Sequence, residues 1–393
     1  MPDISKSKSK RKLIRNLLDS DEKKPKLEYQ KISLHQAISK GDKESILQHI
    51  ENGSDLNFKD NKGLTPLLLA LKHNQLEIAK ILIKHGADIE LANKGGRTPL
   101  HFAIELGSIE LTKAILERNA NINVKDKKGM TPLHYASALD FDNPDMAQLL
   151  IANGANLKEV SHLGTTPLHM AAGKGFVNIA RFLLQKGSDI NAKDKKGFSA
   201  LHYASDSTEK QNMVQFLIDN GANLKEVSHL GITPLHLAVN SVLVNIARLL
   251  LEKGSDANAK DSKHLGPLHF AIEDVLEEND EQYAKIKDLV SLLINYGAKV
   301  DKTALTMVVK KGTPEVCEIL FSKFENAKET INKDNASLLH LALKSRFYRT
   351  LQILIDHGGD VNSKDKKGFT LLHKALMKDE EAEEIEEDIT IET

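Results

Sequence analysis

The sequence predicts an all-α solenoid, in which pairs of helices stack side by side along the chain. Three observations predict it. A short helix-opening phrase occurs eleven times, and its fourth position advances by 33, 33, 33, 35, 33, 34, 33, 37, 34 and 33 residues. Each phrase precedes a second apolar stretch at helical spacing, as in Leu76-Glu77-Ile78-Ala79-Lys80-Ile81-Leu82-Ile83. Apolar residues make up 40% of the chain, spread evenly, with 5% aromatics and no Trp, which suits many thin layers better than one large core.

The phrase reads Thr98-Pro99-Leu100-His101, Thr131-Pro132-Leu133-His134, Thr166-Pro167-Leu168-His169 and Thr233-Pro234-Leu235-His236. Shorter or altered copies stand at Ser33-Leu34-His35, Thr65-Pro66-Leu67-Leu68, Ser199-Ala200-Leu201-His202, Gly266-Pro267-Leu268-His269, Thr303-Ala304-Leu305-Thr306, Ser337-Leu338-Leu339-His340 and Thr370-Leu371-Leu372-His373. Thr is suited to cap a helix with its hydroxyl, and Pro follows where φ is already set for the first turn. Leu133 and Ala136, with their equivalents, then face inward. The second helix stops at Gly86, Gly154, Gly187, Gly221, Gly254, Gly297 or Gly358, and at Asn119 in one unit. Gly and Asn are the residues that tolerate the left-handed stop. Between units an Asp-x-x-Gly turn, such as Asp126 to Gly129, Asp194 to Gly197 or Asp365 to Gly368, projects a hairpin-like finger braced by its Asp. A single unit is too small to bury a core, so neighbours must shield one another.

T-P-L-H-x-A at a period near 33 resembles the ankyrin repeat, over roughly residues 30 to 378. The resemblance implies that the phrase His bonds to Thr and to a neighbouring backbone. It also implies protein partners, held by the fingertips and by the residues just after the phrase's Ala. The expected organisation is a basic N-terminal tail (1–28), an array of about eleven repeats (29–378) and an acidic C-terminal tail (379–393). The array is irregular near 273–335: the step lengthens to 37, Glu273 to Lys287 is charged, and Phe324-Glu325 replaces Gly-Ala. At about 8–10 Å per repeat the array is expected to form a rod of roughly 100 Å. A chain rich in Lys, Asn and Ile with uneven repeats also resembles ankyrin proteins of intracellular bacteria, some of which enter host cells.

A two-repeat cassette is duplicated. Asn153 to Gly164 returns as Asn220 to Gly231, 67 residues later. The fingertips therefore alternate: Lys127-Lys128, His162-Leu163, Lys195-Lys196, His229-Leu230, and His264-Leu265 in the turn Ser262 to Gly266, which mixes both types. With Gly173, Lys174, Asn240 and Ser241 after the phrase's Ala, these are the candidate partner-binding residues. Lys366-Lys367 forms a further basic tip.

Chemistry of other kinds finds little support. Nine of the sixteen His occupy the phrase. Their repeat spacing of about 8–10 Å is too wide to share a metal ion that takes nitrogen at about 2 Å. Cys317 is the single cysteine, so no disulfide framework is expected, and it takes the buried slot of Ala79, Ala180 and Ala247, so no catalytic thiol is expected. No P-loop, dinucleotide fingerprint or nucleophile elbow is present. The reading is a non-enzymatic scaffold without cofactor, cytoplasmic as synthesised, with no apolar run of membrane-spanning length. Two alternatives stay open: a nucleic-acid or anionic-membrane adaptor through the basic N-terminal tail with its run Lys6 to Lys12, and, independently of that tail, an inhibitory or regulatory arm of a partner enzyme. The basic run is an inert solubilising tail in its commonest reading. It lacks interleaved aromatics for base stacking, which argues against nucleic acid. The chain is expected to be a monomer; residues 379–393 hold nine acidic and no basic residues, and any pairing of the opposite tails is expected to be a weak head-to-tail association between molecules.

Overall fold

A computed structural model describes residues 32–273, 280–323, 338–365 and 367–376. Both charged tails, the Phe324-Glu325 departure, Ser337 and Lys366 lie outside the described residues. The chain divides into two compact units, residues 1–121 and 122–393. Each is described by itself. Among the described residues there is no strand.

The first unit holds three helix pairs: Leu34–Lys40 with Lys43–Glu51, Pro66–Lys72 with Leu76–Lys84, and Pro99–Glu105 with Ile109–Leu116. First helices pack on first helices, and Leu76–Lys84 packs on Ile109–Leu116. Leu67, Ala70, Leu100 and Ala103 are fully buried, as the phrase requires. Each Leu so enclosed contributes about 1.5–3 kcal/mol through removal from water. The second helices stop as expected, at Gly86 (φ 94°) and at Asn119 (φ 60°).

The second unit repeats the plan. Its first helices are Pro132–Ala136, Pro167–Lys174, Ala200–Ala204, Pro234–Asn240, Pro267–Glu273, Lys302–Lys311 and Leu338–Lys344. They form one continuous row, each packed on the next. Behind them run Asp145–Ala152, Val177–Gln185, Gln211–Asp219, Val244–Glu252, Asp280–Asn295, Pro314–Lys323 and Tyr348–Asp356. The expected lengthening after Glu273 is present: Asp280–Asn295 has 16 residues where Val244–Glu252 has 9. Cys317 is fully buried in its Ala slot, and burial pushes its thiol up to about 12.

Two phrase copies start differently from their sequence alignment. In the ninth, Thr303 lies inside the helix Lys302–Lys311, and Asp301 is the cap, accepting from the Ala304 amide at 3.0 Å. The carboxylate is the stronger acceptor, so it moves the helix start upstream of Thr303. In the first, Ser33 caps and Gln36 reaches back to the Ser33 amide at 2.9 Å, so Gln does the work done elsewhere by His.

Candidate functional site

The candidate surface begins with the caps that aim the fingers. In the second unit, His134 Nδ1 accepts from the Thr131 amide (3.2 Å) and lies 2.8 Å from its hydroxyl. Nε2 must then carry the proton, and it donates to the Thr165 carbonyl at 2.9 Å, in the next finger. His169 does the same towards Phe198, and His202 towards Ile232, both at 3.0 Å. Each ring therefore ties its own helix start to the following finger, which is the role the family resemblance implied. His269 differs, because its Nε2 meets the Asp301 carboxylate at 2.9 Å in place of a carbonyl. Burial opposes ionisation of Asp301, but the Ala304 amide and the His269 ring outweigh it and hold the carboxyl below 3.8.

Burial holds the His134, His169 and His236 rings below their ordinary 6.5, and pushes His202 down to about 4. They are neutral structural groups at neutral pH. Among the described residues no group of three or more His, Cys, Asp or Glu is placed to hold a metal ion.

The fingers come in two builds. In the Lys fingers, Asp126 Oδ1 accepts from the Lys128 and Met130 amides (2.8 and 2.9 Å), and Asp194 Oδ1 accepts from Lys196 and Phe198 (both 2.8 Å). The second oxygen takes a phenol, from Tyr135 at 2.7 Å and from Tyr203 at 2.8 Å. The bracing role expected of Asp126 and Asp194 is thus present. Asp365 braces Lys367 and Phe369 likewise, and the Phe369 amide leads in holding its carboxyl below the ordinary value. In the His-Leu fingers the brace is Ser. Ser161 Oγ accepts from Leu163 and Thr165 (both 3.2 Å), and Ser228 Oγ from Leu230 (3.2 Å) and Ile232 (3.1 Å). Only in the Asp-x-x-Gly form was the bracing side chain legible. The equivalence of Ser161 and Ser228 to Asp was carried by their fixed distance from the phrase.

The fingers are joined tip to tip through the backbone. The His162 amide donates to Lys128 (2.8 Å), Lys195 to Leu163 (2.8 Å), His229 to Lys196 (2.9 Å) and Ser262 to Leu230 (2.8 Å). At these junctions a side chain is excluded. A Cβ on Gly164, where φ is +79°, would come within 2.7 Å of the Lys195 nitrogen.

Lys127, Lys128, His162, Lys195, Lys196 and His229 are exposed at the tips. Leu163 and Leu230 are each 65% exposed, far beyond their core equivalents. Below the tips, Lys125 pairs with Glu159 at 2.7 Å, and Lys193 with Glu226. Those charges are neutralised within the row, and the Asp126 and Asp194 carboxylates beside the tip lysines are engaged by amides and phenols.

One sequence grouping is corrected. His264 is not a fingertip like His162: it occupies the left-handed slot filled elsewhere by Gly, with φ 63°. Leu265 is half-buried, its amide held by Asp261 at 2.8 Å and its carbonyl 3.4 Å from His236 Nε2. The tip residues of that finger are Ser262 and Lys263. One missing Gly shifted the alignment by two positions.

Gly173, Lys174, Asn240 and Ser241 are not brought to the tips. They lie at the far ends of Pro167–Lys174 and Pro234–Asn240, about one helix length from the fingers. Lys174, Asn240 and Ser241 are exposed, whereas Gly173 is half-buried beside Tyr203.

Among the described residues no helix is long and apolar enough to cross a membrane. Comparison with known proteins agrees with the architecture. A family profile described as ankyrin repeats (3 copies) matches residues 34–126, 133–228, 213–281, 281–365 and 307–385. Curated relatives include human Rabankyrin-5, 26% identical over 213 residues, covering 51% of this chain and 17% of that protein. Delta-latroinsectotoxin-Lt1a of Latrodectus tredecimguttatus is 36% identical over 90 residues, 22% of this chain and 7% of that one. Human transient receptor potential cation channel subfamily A member 1 is 29% identical over 194 residues, covering 47% and 17%. The chain thus spans less than a fifth of each of these relatives. The matched segments together cover most of the sequence, and the chain belongs to the ankyrin-repeat family.

Proposed function

We propose that this protein is a scaffold that binds another protein across the finger row and the adjoining first helices of residues 122–376. Ankyrin repeats are generally protein–protein interaction modules, which supports the class of partner. The observation that carries the reading is the exposure of Leu163 and Leu230 on turns fixed from three directions: a Ser brace, a tip-to-tip backbone bond and the cap His beneath. Such a surface loses little conformational entropy on binding, so modest contacts add up to useful affinity.

The test is affinity capture from a source lysate with the wild-type chain and a variant carrying His162→Ala, Leu163→Ala, His229→Ala and Leu230→Ala. The expected outcome is that a specific protein retained by the first is lost from the second. Retention by both would move the interface off these fingertips.

A further inference from the structure

The alternation of the finger row specifies the chemistry of what lies across it, and this inference rests on the reading that the row binds protein. Along the second unit the tips run Lys127-Lys128, His162-Leu163, Lys195-Lys196, His229-Leu230 and Ser262-Lys263. The exposed leucines stand two fingers apart, roughly 20 Å at 8–10 Å per repeat. Between them stands a pair of exposed lysines whose neighbouring Asp194 carboxylate is already engaged by two amides and a phenol. An extended chain advances about 3.3 Å per residue. Its complement is therefore an extended acidic segment with apolar side chains about six residues apart, on the same side of the strand.

The sequence contains such a segment. Residues 379–393 carry nine acidic residues, with Ile385 and Ile391 six apart and Glu386, Glu387, Asp388, Ile389 and Thr390 between them. An even separation puts both isoleucines on one face of an extended chain. We propose that this segment docks on the finger row, Ile385 and Ile391 over the two exposed leucines and the Glu387 carboxylate, on the same face, towards Lys195 and Lys196. Reach assigns the segment to a second copy. Ile385 is nine residues beyond Leu376, about 30 Å at full extension. The Leu230 finger lies four repeats before the Asp365 finger, roughly 32–40 Å away. A chain's own segment falls short in this register, so the association is intermolecular, concentration-dependent and weakened by salt.

The experiment uses the full chain and a labelled synthetic peptide of residues 377–393, read by fluorescence anisotropy, together with sedimentation velocity. The peptide is expected to bind, and Lys195→Glu with Lys196→Glu to weaken it at least about tenfold. A peptide of the same composition with the isoleucines moved is expected to bind more weakly. The wild-type chain is expected to associate at high concentration and low salt, and the double variant to stay monomeric. Absence of peptide binding, equal binding of the rearranged peptide, or a monomer under all conditions overturns the proposal. None of those results touches capture of a separate partner through Leu163 and Leu230, so failure of this inference is distinguishable from failure of the reading it rests on. Circular dichroism checks that the exposed lysine changes leave the helices intact.

Discussion

The Lys fingers and the His-Leu fingers trace the same turn, but they are anchored by different chemistry. Asp194 spends one oxygen on two amides and the other on the Tyr203 hydroxyl, so turn and helix are locked together. Ser228 satisfies the same two amides with one neutral oxygen and reaches no aromatic partner. The comparison teaches that finger geometry is set by where the amides point, while finger rigidity depends on what else the brace can hold. Charge-assisted bonds exceed neutral ones about twofold. The apolar tips thus sit on the more lightly anchored turns, flanked on both sides by tighter ones.

Deleting the braces should separate the two builds most clearly. Asp194→Ala is expected to cost about 3 kcal/mol, since it strands two amides and a phenol. Ser228→Ala should cost about 1 kcal/mol, the value of a neutral pair. Urea unfolding of both variants checks this, and equal losses would show that the Tyr203 contact adds nothing.

Acid should act on the ties between the two builds. His202 joins the helix of a Lys finger to a His-Leu finger, and its ring titrates at about 4 when folded against 6.5 as its ordinary value. The unfolded chain binds this proton first, so its contribution is intact above 6.5 and falls as pH drops towards 4. The loss from this ring amounts to about 3 kcal/mol across that window. His202→Gln is expected to flatten that part of the stability–pH curve, whatever its effect at neutral pH. A curve unchanged in slope would remove His202 as its cause.

The duplicated cassette offers a smaller and cleaner contrast. Gly175 turns between the helices of one copy with φ 77°, and Val242 makes the same turn in the other with φ 54°. A β-branched residue is poorly suited to that conformation. Val242→Gly should stabilise the chain by about 1 kcal/mol, and Gly175→Val should destabilise it. Thermal melts of the pair check both signs. Least of all should Leu163→Ala and Leu230→Ala alter stability, by less than about 0.5 kcal/mol, because these side chains face solvent. A larger loss would make the tips structural and would undercut the binding surface.

Much of this was legible in the residues. Thr131 and His134 announce a cap, Leu133 and Ala136 a buried face, and Asn119 a left-handed stop, because each depends on atoms within a few positions along the chain. His264 was misplaced for the same reason: without its Gly, the local pattern has no fixed origin. Asp301 as cap was hidden by a better-looking Thr303. Ser161 and Ser228 gave no turn signal, since Ser acts as a brace only once the amides of Leu163 and Leu230 are folded over it.

By itself the sequence determined the helix pairs, their repeat and the residues each must bury, because those follow from periodicity and local capping. Only the tertiary structure decided which tips stand free, which oxygen braces each turn, and that Gly173, Lys174, Asn240 and Ser241 lie away from the fingers. Those outcomes depend on hydrogen bonds about thirty residues apart, such as His134 to Thr165 and His162 to Lys128, and no local pattern encodes them.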